Sequence, residues 1–210
     1  KLSSSFAKDI VLLKQVGINP VVVHGGGPKI KDMLDQLGFK SDFINGLRVT
    51  NKETMNIVEM VLSGSINKDI VMDINKEGGS AIGLSGKDAL LAKTEKVKIP
   101  KSNKKPFDIG YVGKPEIINQ EILEWFLQSN FIPVISPIGF DKNYNTFNIN
   151  ADTMSGSVAS SILSERLILL TDVDGVIDKK GNLLTEISLN DINKLINNGT
   201  ISGGMIPKVE

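Results

Sequence analysis

The chain has 210 residues, 40% hydrophobic and 23% charged, enough apolar material for a packed core. Lysine plus arginine and aspartate plus glutamate stand at 24 each, so no net charge draws it to nucleic acid or anionic membrane, and any anion site must be local. The absence of cysteine excludes disulfides, zinc–thiolate sites and thiol nucleophiles, and with neither a signal peptide nor an apolar run near the ~20 residues that span a bilayer, the expectation is a soluble cytoplasmic protein.

Phe6, Ile10, Leu13 and Val16 recur at helical spacing, and Gly17 closes a predicted helix over 5–16. Residues 21–24 read as a buried strand that stops at Gly25-Gly26-Gly27, and Pro28 then opens a helix to residue 37. Asn45-Gly46 predicts a tight hairpin turn before Leu47-Arg48-Val49. Thr50 and Glu53 have the spacing of a capping box, and a helix follows to about residue 76. A short strand is expected over 80–84 and hairpins over 88–115. An amphipathic helix over 119–129 carries Ile122, Trp125 and Phe126 near one face, with Trp125 read as packing. A strand over 131–136, a small-residue helix over 151–163, a buried strand over 166–171 and a helix over 189–197 complete the pattern. Strands alternate with helices and the best strands are continuous apolar runs. That predicts an α/β fold with a mostly parallel sheet covered on both faces, to which the middle hairpins are an antiparallel addition.

The glycine triplet leaves backbone N–H groups bare at the start of a helix, a geometry that suits phosphate or carboxylate, although a plain tight turn reads the same way. An HGGG run also builds the oxyanion hole of some esterases, but His24 is the single histidine and lies inside the motif, so no histidine base remains. Residues 25–30 lack the G-x-G-x-x-G of a dinucleotide fold, and Gly86-Lys87 fails as a P-loop because Ala81 and Asp88 stand at its fixed positions. Arg48, one of two arginines beside 22 lysines, offers a fork that suits a carboxylate, or else a surface salt bridge. Asn148-Ile149-Asn150-Ala151-Asp152 holds more polar groups than a helix cap needs, and Asp152 is placed to hold a lysine. Thr171-Asp172-Val173-Asp174-Gly175 follows a predicted strand, where α/β sheets bind ligands or simply turn; Val176 interrupts any calcium-loop pattern. Gly203-Gly204-Met205-Ile206-Pro207-Lys208 is a second glycine-to-helix junction, with a lysine set against the dipole as if an anion lay between. The lysines at 93, 96, 98, 101, 104 and 105 read as a solvated strand edge.

VVVHGGGPKI, NGLRVT, GLSGKD, the N-x-N-A-D pentad, LLTDVDGV and SGGMIPKVE stand in the order and rough spacing of N-acetylglutamate kinases, of the amino acid kinase superfamily, which the chain resembles over essentially its whole length. The resemblance implies a three-layer αβα sandwich with hairpins over the substrate site. Residues 1–163 would form the acceptor lobe and 164–210 the start of the nucleotide lobe. It implies transfer of the ATP γ-phosphoryl group to the γ-carboxylate of N-acetyl-L-glutamate, in arginine biosynthesis. Mg²⁺ would be held mainly by the nucleotide phosphates and by no protein metal site. By matching motif, Gly26 and Gly27 are backbone donors near the transferring group, Arg48 clamps the substrate α-carboxylate, and Asn148 and Asn150 bind substrate. Asp152 organises the catalytic lysines and Lys208 stabilises the transition state. Asp172, Val173, Asp174, Gly175, Val176 and Ile177, with Thr200, Ile201 and Ser202, belong to the nucleotide site. A homodimer or hexamer is implied, with no nucleic-acid or membrane partner. Another acceptor (aspartate, glutamate, carbamate or UMP) and a non-catalytic sensing module on the same fold remain alternatives. A substrate carboxylate, with an ordinary pKa of ~4.3, is already ionised and needs no general base.

The family pattern begins with a K-x-G-G strand carrying a second catalytic lysine, and extends beyond the residue matched by Lys208; this sequence contains neither segment. The 210-residue chain alone is therefore expected to show little or no turnover in a coupled ATP assay. Turnover near that of a full-length enzyme would contradict this.

Overall fold

The computed structural model describes residues 4–44, 46–101 and 104–209, with backbone alone at residues 4, 100, 101 and 104–106. Helix α1 (Ser4–Gln15), strand β1 (Val22–Val23) and helix α2 (Gly27–Gln36) come first, followed by the hairpin β2 (Phe43–Ile44) and β3 (Leu47–Arg48). Helix α3 (Lys52–Glu59) widens into a π-helical segment (Met60–Ile66) and resumes as α4 (Asn67–Lys76). Then come β4 (Ala81–Ser85), the long hairpin β5 (Ala92–Lys101) and β6 (Lys104–Ile118), α5 (Gln120–Gln128), β7 (Ile132–Ser136), β8 (Ile138–Phe140) and β9 (Thr146–Ile149). Helices α6 (Ala151–Ser161), α7 (Leu189–Asn197) and α8 (Ile206–Val209) close the chain.

Among the described residues the central sheet has the order β1-β7-β4, all parallel, with Val22 opposite Val134 and Leu84 opposite Ile135. Successive side chains of a strand point to opposite faces. Val22, Ile132 and Val134 thus meet Ala7 and Val11 of α1 and Ile70 and Ile74 of α4. Val23, Leu84 and Ile135 meet Leu123 of α5 and Met154 and Val158 of α6 on the other face. The expected αβα layering is therefore present. All five residues of β7 are buried, as a strand covered on both faces requires.

Beside the sheet, β5, β6, β9 and β8 close into a small barrel. The expected antiparallel hairpins exist, but β6 pairs with β9, and β5 with β8, in parallel, so the addition is mixed. The turn Ser85–Asp88 joins sheet to barrel. Asp88 accepts from the Ser85 N–H and hydroxyl at 2.6 and 2.8 Å, and the Gly86 N–H reaches Ile138 O at 2.7 Å.

Several expectations need correction. The cap of α3 is Asn51, whose side chain accepts from Thr54 N at 2.8 Å, while the Thr50 hydroxyl turns to Arg48 O. The helix expected through residue 76 is interrupted by the π segment, from which Leu62 and Ile66 lie against Gly26 and Ser63 reaches Ser136 of β7. Residues 166–171 form no strand: no neighbouring strand edge pairs with the run among the described residues, and Ile168 and Leu170 are about 71% and 72% exposed. Trp125 is exposed, touching Phe126 edge-on, since the buried face of α5 is carried by Leu123 and Phe126. Leu189, expected in register with Ile192 and Ile196, is exposed at the first position of α7. In the basic run, Lys93 and Lys96 pair with Glu116 and Asp108 across the hairpin, as a solvated edge allows. Asn45 of the predicted turn and the side chains of Lys101, Lys104 and Lys105 lie outside the described residues. No described helix is long and apolar enough to cross a membrane.

A β-carbon on Gly86 would stand 2.1 Å from Ile138 O and 2.6 Å from Ala92 Cβ, and a backbone carbonyl cannot yield as a side chain can. Gly86→Ala is expected to lower unfolding free energy by about 3 kcal/mol in urea titration; an unchanged midpoint and slope would contradict this packing.

Candidate functional site

The site grows from the carboxyl end of β1, where a parallel sheet opens to ligands. His24 ends the ladder, its N–H reaching Ile135 O at 3.2 Å, and Gly25, Gly26 and Gly27 then carry the chain into α2. Among the described residues no acceptor reaches the N–H groups of Gly26 and Gly27. A β-carbon on Gly26 would meet Ile66 Cδ1 at 2.3 Å and Leu62 Cδ2 at 2.7 Å, so the π segment packs directly on bare backbone. Glycine at 26 therefore serves this close approach.

Arg48, at the end of β3, donates from Nη2 to Gly27 O at 3.1 Å and from Nη1 to Ser41 Oγ. Its guanidinium lies 4.6 Å from the Phe43 ring centroid, a cation–π contact. The residue is buried, and among the described residues no carboxylate pairs with it. Burial pulls its pKa below the ordinary arginine value, with the more distant Asp35 charge opposing. A desolvated cation without a counter-ion is costly, and an incoming carboxylate relieves that cost.

The pentad sits against the other side of the loop. A β-carbon on Gly25 would lie 3.6 Å from Ala151 Cβ. Asn148 and Asn150 are two apart at the end of β9, on the face opposite buried Phe147 and Ile149. The Asn150 carboxamide oxygen caps α6, accepting from Asp152 N at 2.9 Å and Thr153 N at 3.1 Å. Among the described residues the Asn148 side chain makes no hydrogen bond. Asp152, in the first turn of α6, accepts Lys208 Nζ on both carboxylate oxygens at 2.9 Å. Each side chain of that pair is 22% exposed, and the carboxylate also complements the positive end of the helix. The Lys208 segment returns to the Arg48 hairpin, for a β-carbon on Gly46 would stand 3.9 Å from the Gly204 backbone. Hairpin, glycine loop, pentad and lysine segment thus form one closed circuit of contacts.

A cleft of about 730 Å³ opens beside the Asp152–Lys208 pair. Gly156, Ser157 and Ser160 of α6 form one wall, and Pro115 to Ile118 of β6 and Pro207 complete much of the rest. Those small residues of α6 are the signal, visible in sequence, for a wall that the motif reading missed. None of the residues matched to a nucleotide site lines this cleft. Asp172, Val173 and Asp174 are exposed in a turn, Val176 is buried, and Ile177 pairs with Leu183. Ile201 is buried, its N–H on Leu195 O, while Thr200 and Ser202 flank it.

His24, used in sequence only to exclude an esterase, is buried and bonded on both ring nitrogens. Nδ1 lies 3.0 Å from Gly25 O, and Nε2 lies 3.2 Å from Asn67 Nδ2. Desolvation lowers its pKa, partly opposed by the Gly25 contact, so the imidazole is neutral at pH 7. Asn67, in the polar run Asn67-Lys68-Asp69, carries no sequence signal of being 1% exposed.

The profile described as the amino acid kinase family matches residues 3–210. Acetylglutamate kinase of Parvibaculum lavamentivorans is 53% identical over 215 aligned residues, covering 100% of this chain and 71% of that protein. Acetylglutamate kinase of Stutzerimonas stutzeri is likewise 53% identical, with the same coverage. A crystal structure from Streptococcus mutans UA159 superposes with a TM-score of 0.88 at 31% identity, covering 100% of this chain and 82% of that one.

Proposed function

Because this chain belongs to the amino acid kinase family, and its 53%-identical relatives are acetylglutamate kinases, we propose that it serves transfer of the ATP γ-phosphoryl group to the γ-carboxylate of N-acetyl-L-glutamate. The observation that carries the reading is Arg48: a buried guanidinium with no described counter-ion, hydrogen-bonded to the carbonyl of Gly27 in the glycine loop.

Arg48 holds the acceptor α-carboxylate, and Asn148, with its unbonded carboxamide, holds a polar group of the same molecule; Asn150 orients α6 beside it. The acceptor's γ-carboxylate is the nucleophile and needs no proton removed, in keeping with a site whose one histidine is neutral and turned inward. The attacking oxygen forms the new P–O bond as the bond to the ADP oxygen breaks, and the leaving pair stays on ADP. What the protein supplies is position and charge complementarity. Gly26 and Gly27 N–H groups face the transferring group, and Lys208, fixed by Asp152, offers its ammonium there. Mg²⁺ on the nucleotide phosphates adds charge neutralisation when bound. Asp152 is committed on both carboxylate oxygens to Lys208, and the ion would be held mainly by the phosphates. The cleft walled by α6 takes the nucleotide side; Asp172 to Ile177 and Thr200 to Ser202 do not line it and belong to the nucleotide site by the family resemblance alone. A homo-oligomer belongs to the same reading, and exposed Leu12, Val16 and Ile18 at the end of α1 leave apolar surface for it.

In the full-length protein, Arg48→Ala is expected to raise the acceptor KM roughly 10- to 100-fold, the worth of a lost charged hydrogen bond, while ATP affinity stays within about twofold. Steady-state titration of N-acetyl-L-glutamate against aspartate, glutamate, carbamate and UMP checks both the residue and the acceptor. Preference for another acceptor, or equal loss of both substrates, would overturn the reading, and absence of turnover with every acceptor would favour a sensing module.

A further inference from the structure

The buried polar network under the glycine loop is not used by the mechanism above, and its buried side-chain polar atoms are all partnered. Asn67 begins α4, directly after the π segment, and donates from Nδ2 to Val134 O at 2.9 Å as well as to His24 Nε2 at 3.2 Å. Its Oδ1 accepts Lys68 Nζ at 3.2 Å. These partners fix the orientation of the amide, because a carbonyl can only accept and an ammonium can only donate. They fix the imidazole too. Nε2 accepts a hydrogen bond from the Asn67 amide, so in the neutral ring Nδ1 carries the hydrogen and donates a hydrogen bond to Gly25 O.

That donation has a consequence one atom further on. In a trans peptide the C=O and the following N–H point in opposite directions within one plane. With the Gly25 carbonyl held inward by His24, the Gly26 N–H is directed away from the buried imidazole, to the side where no described acceptor meets it. Glycine gives this peptide little intrinsic preference, so an unpinned Gly25–Gly26 unit can rotate and present its carbonyl, which would repel an anion. The π segment holds the same place from a second direction, with Leu62 and Ile66 against Gly26 and Ser63 Oγ 2.8 Å from Ser136 Oγ on β7.

We propose that Asn67 and His24 form a latch that sets the Gly25–Gly26 peptide so that the Gly26 N–H faces the transferring phosphoryl group, making Asn67 a positioning residue for the reaction. This rests on the phosphoryl-transfer reading of the glycine loop. Asn67 touches no reactant. It acts through the tautomer of His24, and His24 acts through one carbonyl. The effect falls on the transition state, where charge on the phosphoryl oxygens needs the N–H, more than on substrate affinity.

The test uses the full-length protein with ¹⁵N-labelled histidine, the His24 signals being assigned by their loss in His24→Gln. The expected spectrum at pH 7 is a neutral imidazole with hydrogen on Nδ1, the reverse of the preference of free histidine. Asn67→Ala is expected to shift that tautomer and to lower kcat roughly 10- to 100-fold, as lost supporting hydrogen bonds commonly do, while both KM values stay within about threefold. His24→Asn, which keeps a donor near the position of Nδ1, should retain more activity than His24→Gln. Should Asn67→Ala fail to fold, Gly83→Ala displaces the same side chain without removing it, since its β-carbon would stand 1.9 Å from Asn67 Oδ1. An Nε2–H tautomer or an imidazolium in the unmodified protein would overturn the latch, as would unchanged kcat in folded Asn67→Ala or Gly83→Ala. If the acceptor proves to be a different molecule, the tautomer and its response to Asn67→Ala still stand. If the tautomer is wrong while the kinase is intact, the latch alone falls.

Discussion

Three consecutive glycines expose backbone on every side, and the site is organised by what approaches that backbone. Ile66 and Leu62 close on Gly26 from the helical layer, Ala151 lies against Gly25, and Arg48 reaches Gly27 O. A side chain at 26 would separate the π segment from the loop, and a shift of the loop would move Arg48 and the pentad with it. Each approaching group belongs to a different element, and the parallel sheet brings those elements to the carboxyl ends of β1, β4 and β7. The fold's contribution to function is therefore a convergence of short segments on one bare stretch of main chain.

Charge is arranged with the same economy. The chain is neutral overall, yet Arg48 lacks a described counter-ion and Lys208 has only Asp152. Lys208 is held on both oxygens of one carboxylate, so in the proposed transfer little ordering of it would remain to be done. A buried guanidinium stacked on Phe43 is held equally firmly. The two cations differ in kind. Arginine's flat fork matches a carboxylate, whereas lysine's compact ammonium suits charge developing on a phosphoryl oxygen.

Much of this was legible in the sequence because glycine, proline and isolated charges carry local meaning. The stop at Gly25–Gly27, Pro28 in the first turn, Arg48 after a hairpin turn and Asp152 at a helix start all state their backbone setting directly. What was illegible depends on partners distant in sequence. Asn67 sits in a polar stretch that looks solvated and is buried only because Val134 O and His24 surround it. The π segment has no compositional mark, and Asn51 rather than Thr50 caps α3 because Thr50 is drawn into the bridge with Gly110. The run over 166–171 has strand composition, but composition creates a strand only where another edge accepts its hydrogen bonds. Trp125 failed as a core residue for a related reason: size predicts packing only on the face that meets the sheet, and Trp125 is on the other.

The central claim is that this constellation delivers a phosphoryl group to a carboxylate, and an acyl phosphate betrays itself chemically. Full-length protein incubated with ATP, Mg²⁺, N-acetyl-L-glutamate and hydroxylamine should accumulate an acyl hydroxamate in step with ADP. Replacing N-acetyl-L-glutamate by free glutamate, whose ammonium group replaces the neutral amide, should abolish the signal. ADP formation without hydroxamate, or equal hydroxamate from free glutamate, would contradict the account.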